Sequence, residues 1–365
     1  MTHASTNQAS QPKPYVALSY PTYRKYLIGS FAANLGRQMI SVAVTWEIYQ
    51  WTNSATALGL VGLLNVIPLL ACSLPAGHLA DAVDRKRIIA WSMISSAIIS
   101  IGLAIISWIH RDIPNLPALA WSNHVLEKVA SVFERHADPA SLHFSEPALP
   151  IFYLLLFILG IIRMTSWPAR STIVPLLLPP EALSNAITWN SSAFEIATMA
   201  GPALGGFLLA FIGFPWVYLL DAGLSLGFLI LLRRVTYSTR PKPSTDKRSL
   251  KGMLAGAEFI WRKRVILGAS SLDLFATVLG GAVALLPIYA DRILHVGPIG
   301  LGWLRAAPSL GAFSMAMWLA HRPPLKRPGV ILLWSVAGFG FAVIVFGFSS
   351  SFLLSLVALY FTGVF

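Results

Sequence analysis

The chain has 365 residues, of which 56% are apolar and 12% are charged, compared with about 45–50% and about 25% in soluble domains. This composition argues against a water-soluble globule and for a chain that has the lipid bilayer as its solvent. The net charge of +12 is compatible with nucleic-acid binding, so the positions of the basic residues have to decide. The single cysteine, Cys72, leaves no intrachain disulfide to support the fold.

Apolar stretches of about 20 residues, the length that crosses a bilayer as a helix, follow one another along the chain. Nine complete membrane spans are predicted, at residues 26–49, 57–80, 88–109, 151–167, 184–212, 215–232, 265–290, 298–320 and 329–348. A tenth begins at Phe352 and has 14 residues at Phe365, so we expect it to be partial. The predicted fold class is an all-α integral membrane bundle.

Basic residues predict the orientation of these spans. When the N-terminus is placed in the cytoplasm, the inner segments contain 20 of the 27 Lys and Arg residues, in agreement with the excess of positive charge on cytoplasmic segments. The polar tail 1–25 has no cleavage-site pattern after an apolar core, so we expect the first span to be retained as an anchor. We predict a multi-pass protein of the bacterial inner membrane, whose basic residues face membrane lipids and not nucleic acid.

Composition also divides the chain into segments. Residues 1–25 are predicted as a cytoplasmic tail and residues 26–232 as a six-span N-terminal bundle. The basic, proline-containing stretch 233–264 predicts a cytoplasmic linker. Residues 265–365 are then an incomplete C-terminal bundle.

The outer loop, residues 110–150, is the longest segment between spans of the first half. Its apolar residues from Val125 to Phe133 recur at helical spacing beside charged ones, which predicts a short amphipathic surface helix. Three of the histidines in this loop, His124, His136 and His143, could ligate a metal together with Glu127. They lack the tight spacing of metal ligands, so we expect a solvated loop without a metal.

A charged hairpin, GHLADAVDRKR at residues 77–87, joins the second and third spans. Asp81 falls near the end of the second span, where the helix dipole already places partial negative charge. Its carboxylate therefore needs compensation, by Arg85 or by the N-terminus of another helix. A contact made in only one conformation would be a latch, and the alternative is a turn that only fixes topology. The candidate latch residues are Gly77, Asp81, Asp84, Arg85, Lys86 and Arg87.

The fifth span contains the sequence AGPALGG, residues 200–206. Ala197, Gly201 and Gly205 are spaced by four, so they form one small-residue face on which another helix packs closely. Pro202 removes a backbone donor and bends the helix. With Gly206 these residues predict a bent, tightly packed hinge, and ordinary helix packing is the alternative.

Six ionisable residues lie within the predicted spans, where each costs about 2.5–3.5 kcal/mol at mid-membrane. They are Arg37, Arg163, Glu195, Asp221, Asp273 and Arg305. Asp273 and Glu195 are the candidate proton carriers, because apolar surroundings favour the neutral form of a carboxylic acid. Asp273 and Glu195 could instead be structural ions paired with a residue of opposite charge. This interpretation is favoured for Asp221 and Arg305.

Polar residues follow one face of the first span: Asn34, Gln38, Ser41 and Thr45, with Arg37 beside them. A polar stripe facing lipid is unfavourable, so these residues are predicted to line a cavity or to hold helices together. Glu47 lies near the outer end of the span, where we expect it to reach water.

The charged hairpin resembles the signature loop of the major facilitator superfamily, G-x-x-x-D-R-x-G-R-K. It matches the motif at Gly77, Asp81, Arg85 and Lys86. It departs from the motif at two positions, where Ala82 replaces the Arg and Asp84 replaces the Gly. Similar departures, together with sequences such as WEIYQWTNSATALGLVGL, are typical of the branch of macrolide-efflux and enterobactin-export proteins.

Two further segments resemble motifs of the same family. The fifth span is similar to the antiporter motif G-x-x-x-G-P-x-x-G-G, with Ala197 in place of the first Gly, and the motif implies export. The fourth span resembles L-x-x-x-R-x-x-Q-G, whose arginine, here Arg163, is implicated in proton transfer. The resemblance implies twelve helices around a central cavity, so we expect part of the tenth and two further helices beyond Phe365.

No enzyme motif is found, and the absence of a phosphate-binding loop argues against an ATP-driven pump. We therefore predict a proton-coupled exporter of amphipathic small molecules, drug-like or siderophore-like, that acts by alternating access as a monomer without a cofactor. A lysophospholipid or other lipid translocator is the first alternative. The second is a truncated membrane protein that does not transport, or a sensor.

Overall fold

The computed structural model describes residues 15–114, 117–133, 146–236, 261–263, 267–268, 270–272, 274, 281–320 and 328–365. Within these ranges the regular structure is entirely helical. Up to residue 236 the α-helices are α1 (Pro21–Thr52), α2 (Ala55–Ala82), α3 (Arg85–Ile109), α4 (Pro117–Phe133), α5 (Ala148–Ile173), α6 (Pro180–Ile212) and α7 (Phe214–Arg233). Short helical turns (Gly281–Leu285, Leu286–Ile288 and Tyr289–Ile293) precede α8 (Gly297–Ala320), α9 (Pro328–Phe348) and α10 (Phe352–Val364).

Six of the described helices are both long and apolar enough to cross a membrane. They contain the stretches Ala55–Cys72, Arg85–Ile109, Ala148–Leu176, Pro180–Ile212, Phe214–Arg233 and Gly329–Phe348. Helices α1 and α8 have 32 and 24 residues and are not among the six. The six membrane-length helices correspond to the predicted second to sixth and ninth spans. Much of the predicted seventh span, including Asp273, lies outside the described residues.

The ends of the first helices are set by local sequence signals. Pro21 occupies the first turn of α1, where its missing N–H costs nothing, and Asn53 ends the helix in the left-handed region at φ 50°. Asp84 caps α3, because its side chain accepts a hydrogen bond of 2.8 Å from the backbone N–H of Lys86. Helices α2 and α3 are therefore joined by a turn of only two residues, 83–84.

Packing places α1 at the centre of the first half, between α6 and α7. Helix α3 packs on α5 and α7, and α2 packs on α5. The contact between α6 and α8 joins the first half to the second, in which α8, α9 and α10 pack through α10. The helix α6 is consequently shared by both halves.

Two apolar clusters form the core of the described chain. One contains the C-terminal half of α1 from Met39 to Trp51, with parts of α3, α5, α7 and α8. The other contains the start of α1 from Tyr23 to Ala33, with the opposite ends of α3, α5 and α7. A polar layer separates the two clusters, and it contains the candidate site.

Two predictions about helix extent have clear outcomes. The amphipathic helix of the outer loop is confirmed, and it begins earlier than expected, at Pro117. The predicted fourth span, residues 151–167, is part of a longer helix, since α5 runs from Ala148 through Pro168 to Ile173. Arg170, which the sequence places in a segment between spans, therefore lies in a helix.

Candidate functional site

A cavity of about 240 Å³ lies between α1, α5 and α6. It mixes aromatic, amide, hydroxyl and charged side chains, which suits an amphipathic ligand. Its lining includes Tyr26, Asn34 and Arg37 of α1, Trp167 and Arg170 of α5, and Asn190, Phe194 and Glu195 of α6. The cavity thus brings together three residues that the sequence singles out: Asn34, Arg37 and Glu195.

The rest of the polar face of α1 lies at helix contacts. Gln38 packs against Gly201 of α6, whose missing side chain makes the approach possible. The backbone carbonyl and the hydroxyl of Ser41 accept hydrogen bonds of 3.0 and 3.1 Å from Arg305 of α8. Buried Thr45 donates to the carbonyl of Ser41 on its own helix. In this conformation only Asn34 and Arg37 of the predicted face line the cavity.

Three arginines lie close together beside this cavity: Arg37, Arg163 and Arg170. We call them the arginine cluster. Together they line a second, smaller space of about 20 Å³, and Arg37 and Arg170 line both cavities. The three side chains are close enough to influence one another electrostatically. Among the described residues, no carboxylate oxygen lies within 4 Å of their nitrogens.

Asp221 of α7 is the acidic residue that interacts electrostatically with the arginine cluster. Its side chain is 4% exposed and accepts a hydrogen bond of 2.6 Å from Ser100 Oγ. Arg163 and Arg37 are the cations that interact with it electrostatically. Helix α1 approaches it at Gly36, where a Cβ would lie 2.6 Å from Asp221 Oδ1. Asp221 therefore ties α7 to α1 and α3 and partly balances the arginine charge.

Arg170 is a site residue that the sequence interpretation missed. Its Nε is buried without a hydrogen-bond partner, and one terminal nitrogen lies 3.6 Å from the sulfur of Met93. The guanidinium lies over the ring of Phe228, 5.8 Å from its centroid. The predicted fourth span ends at residue 167, where the apolar stretch ends, whereas α5 continues through Pro168 to Ile173.

Glu47 is the second correction, since the expectation that it reaches water is wrong. Its side chain is 1% exposed. Tyr218 of α7 donates a hydrogen bond of 2.5 Å to one carboxylate oxygen, and Ser107 of α3 donates to the other. Both oxygens are thus bonded across helices, which is how a buried carboxyl group is accommodated.

The predicted hinge residues lie on one buried side of α6. Ala197, Gly201, Pro202, Gly205 and Gly206 are all buried. A Cβ at Gly205 would lie 2.8 Å from the Cα of Met39 on α1, and one at Gly206 would lie 2.9 Å from the Cα of Gly302 on α8. The motif therefore allows α6 to touch both neighbouring helices at backbone distance.

The charged hairpin makes its described contacts with α7. Lys86 Nζ donates hydrogen bonds of 3.2 and 2.7 Å to the carbonyls of Arg233 and Val235, at the C-terminal end of that helix. A cation at this end is favoured by the helix dipole. Arg85 has a buried Nε without a partner. The backbone of α2 includes Gly77 and Asp81, whose side chains lie outside the described part of the structure.

The far end of α1 is linked to the second half of the chain. Tyr49 donates a hydrogen bond of 3.1 Å to Asp291 Oδ2 and accepts one of 3.1 Å from Arg292 Nε. Arg292 also reaches the carbonyl of Asn53 at 3.4 Å. We call these four residues the outer clasp. It closes the C-terminal end of α1 against the turns that precede α8.

These features define a multi-pass membrane transporter: apolar helices, two halves joined at α6 and α8, and a polar cavity beside buried charges. The chain belongs to the Major Facilitator Superfamily, which residues 26–365 match. Members of this family are transporters and not enzymes.

Several relatives are named for export. The chain is 26% identical over 342 residues to the enterobactin exporter EntS of Escherichia coli O1:K1, covering 93% of this chain and 73% of that protein. The EntS protein of Shigella boydii serotype 18 has the same identity and coverage. A solved structure of a bacterial homologue of the human lysosomal transporter Spinster, inward-facing and unoccupied, superposes with a TM-score of 0.59 at 18% identity, covering 96% of this chain and 74% of that one. The last likeness concerns the fold alone.

Proposed function

We propose that this protein is a secondary active transporter that exports amphipathic small molecules, drug-like or siderophore-like, in exchange for protons by alternating access. The observation that carries the proposal is the asymmetry along α1. Its N-terminal half lines a cavity of about 240 Å³ with Asn34 and Arg37, and its C-terminal end is held by the outer clasp through Tyr49. A cavity accessible from one side only is what alternating access requires. The names of the relatives support export as the direction.

The topology belongs to the same proposal. Nine complete spans and a partial tenth cross the bacterial inner membrane, with the N-terminus in the cytoplasm. Residues 1–25 are a cytoplasmic tail, 26–232 the first bundle, 233–264 a cytoplasmic linker and 265–365 part of the second bundle. The protein acts as a monomer surrounded by lipid. The predominance of basic residues in the proposed inner segments supports this orientation.

Three residues are proposed for proton coupling: Arg163, Glu195 and Asp273. Glu195 faces the cavity and lies 3.5 Å from the hydroxyl of Thr198, so a proton on its carboxyl group is within reach of the ligand. Arg163 interacts electrostatically with Asp221 and Arg37. Protonation of Glu195 changes the charge around the cavity, which alters the affinity for the ligand without a covalent step. Asp273 lies outside the described residues.

Two motifs are proposed to control the conformational change. The latch residues of the hairpin hold the inner ends of the helices, and Lys86 supports this role by binding the end of α7. The hinge residues of α6 lie between α1 and α8, where the two halves move against each other. A change of state then requires α6 to slide or bend at Pro202.

Transport by the purified full chain in proteoliposomes tests the proposal. Enterobactin and a panel of apolar dyes are supplied at the face that carries the N-terminus, and a pH gradient is imposed. We expect gradient-dependent movement of at least one compound, abolished by a protonophore. Arg163→Gln is expected to lower it about tenfold, whereas Arg234→Gln, which removes an equal charge just beyond α7, has little effect. Absence of gradient-dependent movement for every compound would refute the proposal.

A lipid translocator is the second candidate, and a groove between α3 and α5 favours it. The groove has a volume of about 450 Å³, is mostly apolar, and includes Trp91, Ile162 and the charged Arg87. Trp91 is 68% exposed. A charged end next to apolar walls suits a lipid with one acyl chain. Translocation of a fluorescent lysophospholipid in the same vesicles distinguishes this function, since an exporter of soluble compounds leaves the lipid on its original leaflet.

A further inference from the structure

We propose that the arginine cluster is an anion-binding subsite of the cavity, so that the exported molecules include organic anions with an aromatic body. The inference deepens the function proposed above and rests on it. It depends on three observations: the balance of charge, the placement of the guanidinium groups at the cavity, and a donor without a partner.

The balance of charge around the cavity is positive. Three guanidinium groups face two carboxylates, Asp221 and Glu195. The first is already bonded to Ser100, and the second lies near Thr198. Neither has an oxygen within 4 Å of an arginine nitrogen in the described part of the chain. A buried cation without a close counter-ion is costly, and a bound anion supplies the missing counter-ion.

The guanidinium groups are placed where a ligand can reach them. Arg37 and Arg170 line the large cavity and the small one alike, so they form the boundary between the two. Arg170 has an Nε that is buried and makes no hydrogen bond. The guanidinium of Arg170 is therefore not fully paired within the protein. An oxyanion in the large cavity can accept from the part of this group that lines it, because guanidinium binds carboxylate-like groups through paired hydrogen bonds.

The walls of the cavity define the remainder of the ligand. Tyr26, Trp167 and Phe194 provide aromatic surface, and Asn34 and Asn190 provide amides that donate and accept hydrogen bonds. The small cavity of about 20 Å³ has room for about one water, so the body of the ligand stays in the large cavity. The ligand therefore has its anionic group at Arg37 and Arg170 and its rings against Tyr26, Trp167 and Phe194.

A matched pair of probes tests the charge requirement directly. Radiolabelled 2-naphthoate and its neutral amide, 2-naphthamide, share the same rings and differ in charge. Binding to the purified full chain in detergent is measured by equilibrium dialysis, with excess unlabelled compound to subtract partitioning into micelles. We expect naphthoate to bind at least about tenfold more tightly, as one charge-assisted hydrogen bond predicts. Equal binding of the two probes, or tighter binding of the amide, would overturn the inference.

Substitutions then assign the binding to the cluster. Arg170→Gln and Arg37→Gln are each expected to weaken naphthoate binding about tenfold and to leave naphthamide binding unchanged. Arg234→Gln, outside the cavity, is the matched control and leaves both unchanged. If Arg170→Gln does not fold, Arg170→Lys keeps the charge and is expected to retain most of the difference between the probes. Unchanged naphthoate binding in both cavity variants contradicts the assignment.

Binding and transport can fail separately, which keeps the two proposals distinguishable. Naphthoate binding that depends on Arg37 and Arg170, without gradient-driven movement of any compound, supports the subsite and contradicts the proposed exporter. Gradient-driven export of neutral compounds, with equal binding of both probes, supports the exporter and contradicts the subsite.

Discussion

Two regions of α1 differ in whether their charged side chains have close partners within the protein. Towards its C-terminus, Glu47 is bonded by two hydroxyl groups, and Tyr49 joins the acidic Asp291 to the basic Arg292. At the middle of the helix, Arg37 lies beside two other arginines with no carboxylate oxygen within 4 Å in the described structure. The first charges are paired within the protein, whereas the arginines line cavities. In the proposed function this second region binds the ligand.

The largest effect is expected from Asp221→Asn, which removes the carboxylate that interacts electrostatically with Arg163 and Arg37. Loss of one partner leaves buried charge uncompensated, so we expect a loss of about 3–5 kcal/mol of stability. Thermal unfolding of the protein in detergent measures it. Ser100→Ala removes only the hydrogen bond to Asp221 and is expected to cost about 1–3 kcal/mol. If Asp221→Asn is as stable as the wild type, Asp221 does not compensate the charge of the arginine cluster.

An intermediate effect is expected between these two regions of α1, where Gly205 of α6 lies against Met39 of α1. Gly205→Ala places a Cβ 2.8 Å from the Cα of Met39, an overpacking that costs about 1–3 kcal/mol. We expect slower transport, because α1 and α6 must move past each other at this point. Gly223→Ala is the matched control, since nothing lies within 4 Å of its added Cβ. Equal transport rates in the two variants would show that the close approach has no role.

The smallest effect is expected from Tyr49→Phe, which opens the outer clasp without changing a charge. Its hydroxyl makes hydrogen bonds to Asp291 and Arg292, and the loss of one such bond is worth about 1 kcal/mol. This corresponds to a shift of about fivefold towards the outward-open state. Labelling of Ser41→Cys by an impermeant thiol reagent from the outer face, in a Cys72→Ser background, measures the shift. No increase in labelling would mean that the clasp does not close the cavity.

The sequence predicted the helices better than it predicted the site. Long apolar stretches define helices because the bilayer leaves few other solutions, and α2, α3, α6 and α7 lie where expected. The fourth span was drawn only to residue 167, where the apolar stretch ends, whereas α5 continues to Ile173. Arg170 was therefore counted in an inner segment between spans.

The partners of charged residues could not be read from the sequence. Glu47 is three or four turns from the polar layer, and its bonds come from Ser107 and Tyr218, which are 60 and 171 residues away. The meeting of Arg37, Arg163 and Arg170 depends on tertiary packing, in which α7 packs on α1 and α3 packs on both α7 and α5. Spacing along one helix did identify Asn34 and Arg37, because a polar stripe has to face away from lipid.

The most direct test of the central claim is the sidedness of the cavity. Asn34→Cys in a Cys72→Ser background is exposed to an impermeant maleimide in right-side-out and in inverted membrane vesicles, without any gradient. The account predicts rapid labelling in inverted vesicles, where the cytoplasmic face is outside, and slow labelling in right-side-out vesicles. Tyr49→Phe raises only the slow rate. Rapid labelling from the outer face alone, or no labelling from either, would contradict a cavity that opens inwards while the outer clasp is closed.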